Sequence, residues 1–111
     1  MDVKSTAKTV RVTPRKARLV LDLVRGKSVD EALAILEFTP NKAAEAVYKV
    51  VKTAAADATN NFQLNYEQLY VKACYADEGI VMKRFKAAAK GNAHPRMKRT
   101  SHITVVVSDE R

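Results

Sequence analysis

Seven cations, Lys83, Arg84, Lys86, Lys90, Arg96, Lys98 and Arg99, lie between residues 79 and 108, an interval with no Asp or Glu. Groups of this type at this density suit one kind of chemistry. Arginine presents a planar fork to a phosphate, and lysine a mobile point charge. A run of one sign repels itself unless a polyanion neutralises it, so the spacing predicts a nucleic-acid partner. Phe85 and Met97 interleave with these cations; they could stack on bases or pack the segment locally. A second cluster, Arg15, Lys16 and Arg18, follows Thr13-Pro14 and has only Asp22 nearby. It suits further phosphate contacts, and the exposed N–H groups of a helix starting at Pro14 add to them.

Other chemistries find little support. His94 and His102 have no partner at a recognised ligand spacing, so no metal site is expected. Cys74 is the single cysteine and cannot form an internal disulfide; it reads as a small strand residue. Asp77 and Glu78 are adjacent in a strand pattern and point to opposite faces, which makes them a poor acid/base pair. The chain has three glycines and none of the glycine-rich phosphate loops or nucleophile motifs. Neither an enzyme nor a cofactor is expected.

The charge is segregated along the chain. Residues 1–27 hold eight Lys/Arg against two acids, residues 28–78 four against eight, and residues 79–111 eight against two. The net charge is +8 over 111 residues. This pattern predicts a basic surface built from both chain ends, with an acidic flank facing water. The length suits one domain, residues 1–111, with one modest core. The N-terminus lacks the apolar stretch of a secretory signal, and no apolar run approaches the ~20 residues of a membrane helix. A cytoplasmic protein with no membrane partner is therefore expected.

The elements that would hold these residues follow from local patterns. Residues 3–12 read as a first strand. Thr13 suits a cap and Pro14 a first helical turn; Ala17, Val20, Leu21 and Val24 form one apolar face, and Gly26 ends the helix. Ser28-Val29-Asp30-Glu31 is a capping box opening a short helix that Pro40 stops. A long helix is predicted over residues 41–60, with Ala44, Val47, Val51, Ala54 and Ala58 inward and Glu45 and Lys49 paired on the wet side. A second strand alternates Leu69, Val71, Ala73 and Tyr75 with Tyr70, Lys72 and Cys74, running to Glu78. A third, over residues 101–108, is apolar on both faces near its end and reads as central. Residues 79–100 between them read as a hairpin arm reaching roughly 40 Å, with its turn near residues 90–95.

Three blocks carry a resemblance: residues 13–27 (TPRKARLVLDLVRGK), residues 98–108 (KRTSHITVVVS), and Asp77-Glu78-Gly79 with Met82-Lys83-Arg84. Over nearly its whole length the chain resembles the family of bacterial large-ribosomal-subunit protein number twenty-two. The resemblance implies an α+β fold, with three helices packed on a three-stranded antiparallel sheet and one long extended β-hairpin. It implies a structural, non-enzymatic role in the ribosome: binding 23S ribosomal RNA, supporting subunit assembly, and lining the nascent-peptide exit tunnel with the hairpin. The implied partners are 23S ribosomal RNA, neighbouring large-subunit proteins and the nascent polypeptide. With the resemblance included, the expected RNA-binding set is Arg11, Arg15, Lys16, Arg18, Arg25, Lys27, Lys83, Arg84, Lys86, Arg96, Lys98, Arg99, Thr100 and His102. The expected tunnel-lining tip is Ala88, Ala89, Lys90, Gly91, Asn92 and Ala93. Ala88 and Asn92 stand where the family often has arginine, and Ile80 where proline is common; the stem cations match. Two rivals use the same residues: a DNA-bending protein with a β-ribbon arm and a Pro95 wedge, and a basic scaffold for an acidic protein.

Overall fold

The computed structural model describes residues 1–79, 82–87 and 93–110, with residues 82–87 and 93–98 described by their backbone alone. In chain order the elements are β1 (Asp2–Val10), α1 (Pro14–Val24), α2 (Val29–Phe38), α3 (Lys42–Asn61), a 3-10 turn (Tyr66–Gln68), β2 (Tyr70–Glu78), β3 (Met82–Ala87), β4 (Ala93–Lys98) and β5 (Ser101–Ser108). The fold is α+β, as expected.

The helices start and stop where local chemistry dictates. The Ser28 hydroxyl accepts the Glu31 N–H (3.3 Å), and the Asn41 side chain accepts the Ala43 N–H (2.9 Å). Gly26 has φ +81°, a left-handed conformation that ends α1 at low strain. Thr13 departs from expectation: its backbone is extended and its carbonyl accepts the Ala17 N–H, but its hydroxyl makes no capping bond. The apolar faces of α1 and α3 are buried as the periodicity requires, and Ala43, Val50 and Ala55 join the inner side of α3.

The main sheet is antiparallel in the order β1-β5-β2, and β5 is central. Its Ile103, Val105 and Val107 are fully buried in the core shared with α1 and α3. The alternation expected over residues 69–75 is interrupted. A β-bulge shifts the register between Val71 and Ala73. Val71, Cys74 and Ala76 therefore face the core, while Tyr75 turns outward and is 41% exposed. A second irregularity, between Ala7 and Val10, ends β1 two residues before the expected limit.

β2 lies at the sheet's edge, and the outer peptide groups at its start are met by the turn after α1. Gly26 N–H donates to the Val71 carbonyl (2.9 Å), Val71 N–H to Lys27 (2.8 Å), and Val29 N–H to Leu69 (3.1 Å). The β2–β5 ladder ends at Glu78 opposite Ser101. Gly79 then donates to the Thr100 carbonyl (2.9 Å), and the β3–β4 ribbon begins at Met82 opposite Lys98. The hairpin is thus an antiparallel extension rooted between the edge strand and the central strand. With it the molecule measures 62 × 25 × 18 Å.

The root is tight. A Cβ at Gly79 would collide with Oγ1 of Thr100, which is only 1% exposed and β-branched and cannot swing aside. Gly79→Ala should lower stability by about 1–3 kcal/mol, seen as a lower urea midpoint at constant m. Thr100→Ala should recover part of that loss in the double variant. An unchanged midpoint for Gly79→Ala would contradict the close packing.

Candidate nucleic-acid interface

The ribbon's register sorts its cations. Arg84 pairs with Arg96, Lys86 with His94 and Met82 with Lys98, while Lys83 pairs with Met97, Phe85 with Pro95 and Ala87 with Ala93. Pairs two residues apart share a face, so one face holds Met82, Arg84, Lys86, His94, Arg96 and Lys98. The other holds Lys83 as its single Lys/Arg position, among Phe85, Ala87, Ala93, Pro95 and Met97. The register sets the Arg84 position directly opposite the Arg96 position. The interleaving seen in sequence becomes two chemically distinct faces once pairing is known. Of the expected tip, residues 88–92 lie outside the described residues, and Ala93 opens β4.

Below the ribbon, the expected residues divide. Arg11, Arg15, Lys16, Lys27 and Arg99 are exposed and form no ion pair among the described residues. Arg18 and Arg25 are engaged with the protein. Nε and Nη2 of Arg18 both donate to the Ala76 carbonyl (3.2 and 2.9 Å). Arg25 Nη2 donates to the Cys74 carbonyl (2.8 Å), and its Nη1 pairs with Asp22. The hydrogen-bonded Asp22 carboxylate further raises the Arg25 pKa. These two guanidinium groups meet two further carbonyls on the β2 edge.

Thr100 is buried and offers almost no surface to a partner. His102 is half-buried; its Nδ1 accepts the N–H of Thr9 (3.0 Å). Thr9 has φ +57°, a left-handed conformation uncommon for a β-branched residue. His102 thus holds the irregular end of β1, where the chain turns towards Arg11. The Ser101 hydroxyl, donating to the Val12 carbonyl, secures the same corner. Sequence reasoning did not find these roles, which need contacts between residues some ninety positions apart.

Cys74 is buried with its thiol on the Leu21 carbonyl (3.4 Å), and burial pushes its pKa up, away from a reactive thiolate. Among the described residues no cluster of His, Cys, Asp and Glu could hold a metal, and no helix is long and apolar enough to cross a membrane.

Residues 5–108 match the family model described as ribosomal protein L22p/L17e. The chain is 52% identical over 111 residues to the large ribosomal subunit protein uL22 of Pelotomaculum thermopropionicum, covering all of this chain and 98% of the relative. It is 60% identical over 105 residues to the uL22 of Ligilactobacillus salivarius, covering 95% of this chain and 91% of the relative.

The division of the arginines is testable by melting. Arg18→Gln and Arg25→Gln should each remove about 1 kcal/mol and lower Tm by roughly 4–8 °C. Arg15→Gln and Lys16→Gln, whose side chains are free, should stay within about ±0.5 kcal/mol of the parent. Equal Tm values for all four variants would contradict the assignment.

Proposed function

The chain belongs to the ribosomal protein L22p/L17e family, and on that premise we propose that it is a structural constituent of the large ribosomal subunit whose partner is 23S ribosomal RNA. The observation that carries this reading is the cationic face of the ribbon, with Arg84, Lys86, Arg96 and Lys98 on one side. Its phosphate contacts position the protein without reading sequence. The free cations Arg11, Arg15, Lys16, Lys27 and Arg99 extend the basic surface towards the globular part. Arg18, Arg25, Thr100 and His102 serve the interface indirectly, by holding α1, the arm's root and the end of β1 in place. The family's RNA role, neighbouring large-subunit proteins and cytoplasmic ribosome follow from the same membership. A DNA-bending role is disfavoured, because the full-length relatives at 52% and 60% identity are ribosomal.

The tip, Ala88 to Ala93, is the part proposed to line the nascent-peptide exit tunnel. Its residues are mostly small and neutral around the lone Lys90, while the Lys/Arg positions concentrate in the stem. Small neutral groups leave space open and hold a passing peptide weakly.

Salt dependence tests the RNA reading. Replacing Arg84, Lys86, Arg96 and Lys98 with Gln should weaken binding to 23S ribosomal RNA. It should also flatten the slope of log affinity against log salt by about 0.7–0.9 for each phosphate no longer neutralised. Lys83→Gln alone should have a smaller effect, and an unchanged slope in the fourfold variant would refute the assignment. For the tip, Ala88→Arg with Asn92→Arg should change arrest of a stalling peptide in reconstituted ribosomes, with incorporation into the subunit nearly unchanged. Blocked incorporation would place the tip against RNA instead.

A further inference from the structure

Three segments distant in sequence meet at the arm's root: the β1–α1 corner and first turn of α1 with Arg11, Thr13 and Lys16, the start of α3 with Asn41 and Lys42, and Arg99 at the entry to β5. They line a recess of about 420 Å³, a volume typical of ligand pockets. No Asp or Glu forms its wall. Its four cations make no ion pair among the described residues.

Two helices begin beside this wall, so the N-terminal residues of both border the same space. The start of α1 has no side-chain cap, and the Thr13 hydroxyl there is uncommitted. Asn41 uses its Oδ1 on the Ala43 N–H, which leaves its amide group as a donor. Four like charges around one cavity repel one another, and a single compact anion relieves all of them at once.

We propose that this recess seats one phosphate group of the RNA backbone, and that the seated phosphate braces the arm's root against the helical layer. The proposal rests on the RNA-binding reading above and names a discrete site within it. Arg99 immediately follows the ribbon, whereas Arg11, Lys16 and Lys42 belong to the body. A phosphate held by both sets ties the two parts by charge-assisted bonds that Arg99 does not make to the body itself.

Two measurements on the full chain test this. In the first, binding of a 23S ribosomal RNA transcript is compared for Arg11→Gln, Arg99→Gln and the double variant across a salt series. If both arginines hold one phosphate, each single change should weaken binding about 5–30-fold. The double loss should be smaller than the product of the two, and the salt slope should fall by the amount due to a single phosphate. Multiplying losses, with a further slope change for each arginine, would mean a diffuse basic field and overturn the seat. In the second, inorganic phosphate is titrated into the free protein and followed by amide chemical shifts. Saturable shifts confined to residues 13, 15, 16, 41–43 and 99, absent in the double variant and reversed by the transcript, are expected. Shifts spread over every basic segment would overturn the site. Saturation by inorganic phosphate that the transcript does not reverse would make it a free-anion site and overturn the RNA assignment. If the transcript binds no variant and not the parent chain, the functional reading fails, and the phosphate titration still judges the recess by itself.

Discussion

The architecture depends on satisfying the outer edge of β2. An edge strand presents unpaired N–H and C=O groups, which either meet partners or invite another chain. Here the turn after α1 pairs with the first part of β2, and Arg25 and Arg18 reach the carbonyls of Cys74 and Ala76 further along. These bonds fix α1 alongside β2. The fixed helix buries Val20, Leu21 and Val24 and leaves Arg15 and Lys16 in solvent. One helix thus uses its arginines in two ways, some as internal donors to the sheet and others as free charge.

The same sheet aims the arm. β2 and β5 run antiparallel to the root, so the ribbon continues two strands already held by the core. Gly79 and the buried Thr100 leave little space there, which limits how the ribbon departs. The charge it carries is tolerable in isolation. Two like charges about 5 Å apart in water repel by roughly 0.8 kcal/mol, and salt reduces that further. Along a closely spaced face such terms accumulate, and a polyanion seated there would reverse their sign. The recess at the root gathers Arg11, Lys16, Lys42 and Arg99 from segments that share no local sequence pattern. The stem and the recess thus place cations in two geometries, one extended and one convergent.

Much of the fold was legible because the governing signals are local. Pro14, Gly26, the Ser28–Glu31 capping box and Pro40 set helix limits within a residue or two, since each acts through backbone dihedrals or hydrogen bonds only a few residues away. The apolar spacing of α1 and α3 marked their buried sides, and the doubly apolar residues 101–108 marked the central strand. The cation run between residues 79 and 108 pointed to a polyanion before any strand was paired.

What stayed hidden was set by pairing and packing across the chain. The bulge after Val71 turns Tyr75 outward and Cys74 inward, because an extra residue shifts every later side chain to the opposite face. Arg18 and Arg25 look like Arg15 in sequence, and only the position of the β2 carbonyls tells them apart. The two faces of the ribbon exist only once Arg84 stands opposite Arg96. Composition and periodicity by themselves determined that this chain is basic, with three helices, three strands and a cationic arm. Tertiary structure decided which cations are free and where they converge, because that depends on distances between residues far apart along the chain.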